Sequence, residues 1–209
     1  MGEILKENPR PDDEQQDKKE ADEKKTLWEE AREKILSTED RMDKRTKVIL
    51  RRSMGYTFEE ATPAARMAFY MVIPQDMTFY NNEWGRTERD IWFFGICLYA
   101  YQDSIGFRKT EDILSEIYND RNTTGSQKAK IRALISYNMT DDGRIIHYLS
   151  KKLKSILYKT NDKISVPSLV ASLLTWNRTK SGYSAADRWA EKIARNYKVE
   201  EKEEGNTND

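Results

Sequence analysis

The sequence predicts an all-α protein, a helical bundle of two packed lobes between disordered acidic tails. Three observations predict it. Apolar residues recur at three- and four-residue spacing between positions 26 and 198, and no stretch sustains period-two alternation. Only five Pro and nine Gly interrupt the 209 residues, few enough for long helices. Eleven Tyr, six Phe and five Trp supply the bulky apolar surface that a core needs.

Residues 1–25 hold nine acidic and six basic side chains and no aromatic, so they cannot bury enough apolar surface to offset the entropy of ordering and read as a disordered tail. The N-terminal lobe is expected over 26–101. Leu27, Trp28, Ala31, Ile35 and Leu36 fall at helical spacing, and Arg41 to Met54 continues with Val48, Ile49 and Leu50 among six Lys or Arg. Thr57-Phe-Glu-Glu60 has the form of a capping box; Thr62 to Ile73 follows with one charge, and Pro74 stops it. Thr87-Glu-Arg-Asp90 starts the next helix, through Ile91, Trp92, Phe94, Cys97, Leu98 and Tyr101, apolar around most of the wheel and therefore central. Residues 102–125 are more polar, with a short amphipathic piece around Ile113, Leu114 and Ile117, and read as a connection. The C-terminal lobe, 126–197, takes four helices: Ser126 to Asn138, Asp141 to Tyr158, Pro167 to Trp176 with Pro in its first turn, and Ser184 to Lys198 capped by Ser184-x-x-Asp187. Residues 198–209 form the second acidic tail.

The formal charge is zero, 36 basic against 36 acidic, but it is unevenly laid out. Residues 26–197 carry 28 basic and 22 acidic side chains, and 121–197 alone carry 15 and five. The chain is a basic domain with acidic ends. One cysteine, Cys97, excludes internal disulfides and a multi-Cys zinc site, and one histidine, His147, would have to serve any Ser-His or Cys-His catalytic group. No phosphate-binding glycine loop occurs, and Asp141-Asp142-Gly143 after Thr140 reads as a capped helix start rather than a metal loop. No cofactor, metal or catalytic residue is expected. The longest uncharged apolar run, Ile91 to Tyr101, spans eleven residues where a bilayer needs about 20. With no cationic start and apolar stretch at the N-terminus, the expected location is cytoplasmic, without a membrane partner.

On a wheel at 100° per residue, Ile145, Ile146, Leu149, Leu153, Ile156 and Leu157 form the core face of one helix. The opposite sector holds Arg144, His147, Tyr148, Lys151 and Tyr158, with Lys152, Lys154 and Lys159 on its flanks and no acid from 143 to 159. Cations interleaved with aromatics can neutralise phosphates and stack bases. Lys128, Lys130 and Arg132 line the outer side of the preceding helix; Arg178 and Lys180 lie in the polar turn after Trp176, and Arg51 and Arg52 near the end of the first basic helix. For each set the bland reading is a solvated face or a complement to a helix C-terminus. The absence of i, i+4 acidic partners favours a nucleic-acid surface on the Arg144 helix.

The order Lys130-Ile-Arg-Ala-Leu134, Asp142-x-Arg144-Ile-Ile-His-Tyr-Leu149, Leu153-x-x-Ile-Leu157, Val166-Pro-x-Leu169, Leu173-Leu-Thr-Trp176 and Arg188-Trp189-Ala190 with Tyr197 resembles the CasB small subunit of the type I-E CRISPR surveillance complex, Cascade. Leu50-Arg-Arg52 and Ala68-Phe-Tyr70 before Pro74 fit the same family, so the resemblance covers about residues 44–198. It implies a two-lobed helical protein without catalytic activity, present as a pair of copies and contacting the repeated backbone subunit and the large subunit of a guide-RNA ribonucleoprotein. It also implies a basic surface that steadies the displaced and target DNA strands of the R-loop during antiviral defence. The family's basic positions fall on Arg51, Arg52, Arg132, Arg144, Lys152, Lys154, Arg178 and Lys180. The alternative is a helical scaffold that holds neighbouring subunits without touching DNA. A free-standing helix-turn-helix regulator lacks its short turn and recognition helix here, and an enzyme ranks last.

Overall fold

The computed structural model describes residues 25–139, 143–159, 163–177 and 184–204. Among them there are nine α-helices and no sheet, as the absence of period-two alternation predicts. The helices are α1 Leu27–Leu36, α2 Lys44–Ser53, α3 Pro63–Val72, α4 Glu83–Gln102, α5 Thr110–Asn119, α6 Gly125–Ser136, α7 Arg144–Lys159, α8 Val166–Leu174 and α9 Ala185–Glu204.

Local chemistry sets most of the starts. Thr26 and Glu29 form a reciprocal capping box on α1, Thr124 and Gln127 another on α6, and Ser184 and Asp187 a third on α9, with Ser184 Oγ donating to the carboxylate at 2.7 Å. Asp43 caps α2, and Thr62 caps α3 with Pro63 behind it. Two expected starts move. The Thr57–Glu60 box forms its hydrogen bonds but closes only a single turn, because the chain reverses before Thr62. Asn82, not the Thr87 segment, begins α4, its side chain accepting from Gly85 N–H at 2.7 Å. Thr87 instead turns its hydroxyl back to the Glu83 carbonyl inside the helix.

α4 is the axis of the fold, buried at every position from Ile91 to Ala100. α2 and α8 pack against it, α3 lies on α2, and α7 also reaches it. Phe58, Phe69 and Phe93 meet edge to face with centroids 5.5–5.6 Å apart where α3 and the turn before it cover α4. Cys97 is fully buried there, and burial pushes its thiol well above the ordinary range, leaving it an inert core residue. α1 packs on α8, so the first helix rests on the C-terminal half. The stretch expected as a connection carries α5, which packs on α9 and α6 and buries Ile113 and Leu114. One continuous apolar cluster from Ala31 to Ile193 joins both halves.

Asp90 ties the 57–60 turn to α4 by accepting the Phe58 N–H at 2.7 Å. Burial, opposed by that bond, pushes its carboxyl up to about 6. The folded chain then holds this proton more tightly than the unfolded one, so stability falls as pH rises from about 4 to 6 and stays lower above. Asp90→Asn keeps the acceptor and removes the buried charge. Urea denaturation is expected to show a gain of about 2 kcal/mol at pH 7.5 that vanishes by pH 4.

Candidate nucleic-acid interface

The cations expected to meet nucleic acid separate by what their head groups already touch. α2 ends at Ser53, and the chain turns through Met54, Gly55 and Tyr56 with Gly55 at φ 108°. α7 lies against that turn. Ser150 packs on Gly55, where a Cβ would come within 2.8 Å of its hydroxyl, so only glycine fits both the backbone and the gap. His147 Nδ1 donates to the Gly55 carbonyl at 2.8 Å, and Lys154 Nζ donates to the Met54 carbonyl. Both bonds satisfy carbonyls beyond the C-terminal end of α2, where positive charge is favoured.

This corrects the outward face read from the wheel. His147, Tyr148 and Lys154 are half-buried, Tyr148 packs against the core, and burial raises its phenol above the usual value. A wheel identifies the sector away from a helix's own apolar stripe; it does not show that another element lies over that sector. Arg144 and Lys151, seven residues apart on the same stripe, stay exposed with no ion pair or hydrogen bond among the described residues. Lys152 is half-buried.

Across the turn, Arg52 is exposed and equally uncommitted, and the Arg51 guanidinium lies 5.4 Å from the centroid of Tyr101. Arg51 and Arg52 immediately precede the turn on which Lys154 and His147 close, so the structure brings the end of α2 and the outer edge of α7 into one band. Neither helix carries an acidic residue. Tyr56 sits within the band with 53% of its surface exposed. Sequence alone does not single out this tyrosine. Its signal was an aromatic shortly after an Arg-Arg pair, which means little until α7 is known to lie beside it.

The band has an edge. His147 Nε2 is 3.5 Å from Glu60, and beyond it a cleft of about 500 Å³ is lined by Glu59, Glu60, Glu83 and Asp90 with Arg86. A polyanion attracted to the cations is repelled there. α6 presents a different arrangement. Lys128 and Arg132 turn onto Tyr118 of α5, 5.6 and 5.9 Å from its centroid, and Arg132 also donates to the phenol oxygen at 2.8 Å. They tie α6 to α5, while Lys130 points into solvent without a partner among the described residues. Arg178, Lys180, Thr140, Asp141, Asp142 and the side chains of Tyr158 and Lys159 lie outside the described residues.

Among the described residues no group of three or more His, Cys, Asp or Glu is placed to hold a metal ion, and no helix is long and apolar enough to cross a membrane. No protein-family model matches the sequence, and no curated protein matches it. Among solved structures the chain is similar to the crystal structure of M. ruber CasB, with a TM-score of 0.57 and 17% sequence identity, covering 85% of this chain and 97% of that one. At that identity the likeness is one of fold. It extends over nearly all of the compared chain. The chain has a CasB-like fold.

Proposed function

We propose that this chain is the non-catalytic small subunit of a type I-E Cascade complex, which binds nucleic acid largely without sequence preference and stabilises the opened strands of the R-loop. Its partners are then single-stranded and R-loop DNA, the guide-RNA ribonucleoprotein with its repeated backbone and large subunits, and a second copy of itself. The observation that carries the reading, beside the fold, is that Arg52, Arg144 and Lys151 stand open on two helices without an acidic residue, where α7 meets the turn after α2. Uncommitted cations neutralise phosphates of any sequence, so selectivity has to come from guide pairing elsewhere. Contacts made only with separated strands lower the free energy of the opened state relative to the closed duplex.

The test is anisotropy of a labelled single-stranded DNA with the full chain and the double variant Arg144→Glu, Lys151→Glu at several salt concentrations. Lys154 is left intact because it holds the Met54 carbonyl. The variant is expected to bind about 100-fold more weakly, with a salt dependence shallower by about two charges. Unchanged affinity sinks the reading. The scaffold alternative draws on the outer side of α3, where Met67 and Met71 are 67% and 64% exposed beside Tyr70. It is favoured if the wild-type chain enters the complex without binding DNA.

A further inference from the structure

Among the described residues, the cationic band contains one aromatic ring with no ring, cation or hydrogen-bond partner in the fold. We propose that Tyr56 is a stacking platform for an unpaired base of the strand held by Arg52, Arg144 and Lys151, so that the band prefers single strands to duplex. The proposal rests on the nucleic-acid reading above and assigns it a residue and a substrate preference.

The backbone under Tyr56 is fixed on both sides. Lys154 and His147 hold the Met54 and Gly55 carbonyls from α7, and Tyr56 N–H donates to the Ser53 carbonyl at 3.2 Å. Beyond it the Thr57 amide is tied to Glu60 at 2.8 Å and that of Phe58 to Asp90 at 2.7 Å. From this anchored turn the ring stands half exposed, and its hydroxyl has no partner among the described residues. A platform already ordered before binding loses little entropy when a base settles on it.

Phe107 and Tyr80 are more exposed, but neither stands on a surface free of acids. Phe107 is 90% exposed in a hollow where Arg108, Lys109, Arg188 and Lys192 are matched by Glu111, Asp112 and Glu116; Glu116 holds the Arg108 guanidinium at 2.6 Å and Asp112 the Lys192 ammonium at 2.9 Å. Tyr80 precedes α4 close to Glu83. At Tyr56 the nearest acids are committed: Glu60 to Thr57 and His147, and Glu59 to Arg89. Backbone neutralisation and an open π face therefore coincide at one place, which is what sequence-tolerant single-strand binding uses. In a duplex the base faces are already stacked on their neighbours, so this contact adds affinity only once the strands separate.

The test compares the full chain with Tyr56→Ala and Tyr56→Trp on a labelled oligothymidine, on an abasic oligonucleotide of the same length and on a duplex. Tyr56→Ala is expected to weaken oligothymidine binding about tenfold and Tyr56→Trp to preserve it, with no change for either on the abasic strand or the duplex. Equal loss on the abasic strand overturns stacking in favour of a structural or phosphate contact. No loss on oligothymidine, while Arg144→Glu with Lys151→Glu still abolishes binding, overturns stacking and leaves the nucleic-acid reading standing. Absence of binding by the wild-type chain overturns both. If Tyr56→Ala lowers retention in the assembled complex with DNA affinity intact, the ring is a protein anchor and the proposal fails.

Discussion

Trp176→Ala is expected to lower the unfolding free energy by about 4 kcal/mol. Trp176 follows α8 and is fully buried; its ring meets that of Trp189 on α9 edge to face, with centroids 4.9 Å apart. Its Nε1 donates to the Tyr137 carbonyl at 3.0 Å, just past the end of α6. One side chain thus joins the ends of three helices, and truncation leaves both a cavity and an unpaired carbonyl. Trp189 provides the control. It is equally buried, but its Nε1 has no hydrogen-bond partner among the described residues. Trp189→Phe therefore gives up volume without breaking a bond and is expected to cost about 1 kcal/mol, less than Trp176→Phe, which breaks one. Urea denaturation followed by circular dichroism reads both. A Trp176→Ala loss below about 1 kcal/mol would show that the junction of α6, α8 and α9 is not closely packed.

The helices themselves were largely legible, because each is encoded locally. Apolar spacing located the centre of α4, and Thr62 with Pro63 and the Ser184–Asp187 box marked starts that need no tertiary information. Where the reading slipped, a longer-range contact decided. The Thr57–Glu60 pattern is a cap without a helix because Phe58 is drawn onto Asp90 and into the aromatic cluster under α3. α5 was underestimated as a connection because its buried partners lie on α9, some 75 residues later, as in the Ser115 hydroxyl bond to the Lys192 carbonyl. The candidate site was legible as a list of cations but not as a surface. Charge counting gives Lys128, Arg132, Lys154 and Lys151 equal weight, whereas the fold spends the first two on Tyr118, the third on Met54 and leaves the fourth open. That distinction depends on what crosses each helix face, and no single-helix wheel contains it.

The segment between α4 and α5 makes the strongest demand on one residue. Gln102, buried at the end of α4, uses its amide as a clasp: Nε2 donates to the Ile164 and Ser104 carbonyls at 2.7 Å each, and Oε1 accepts the Ile164 N–H at 3.1 Å. Phe107 and Arg108 then donate to the Lys163 carbonyl at 3.1 Å, and Val166 donates to that of Ile105 at 2.8 Å. These bonds strap residues 102–108 to 163–166 and fix where α8 begins. Gly106 lies inside the strap at φ 65°, and a Cβ there would stand 2.0 Å from the Ile164 oxygen and 2.4 Å from its carbon. Both atoms are backbone, so no side-chain rotation relieves the overlap, and the left-handed conformation adds its own penalty. Gly106→Ala is expected to cost about 3 kcal/mol, because the strap has to open and its buried amides lose their acceptors. Gly125 is the contrast. A Cβ there meets nothing within 4 Å at the first position of α6, so Gly125→Ala is expected to stabilise by about 0.5 kcal/mol. Thermal unfolding separates the two substitutions, and hydrogen exchange locates the damage: the Ser165 and Val166 amides should lose protection in Gly106→Ala before those of α4. Unaltered protection at these amides would mean that the α8 start is set by packing against α4 and α1 alone, and that the strap follows the fold without holding it.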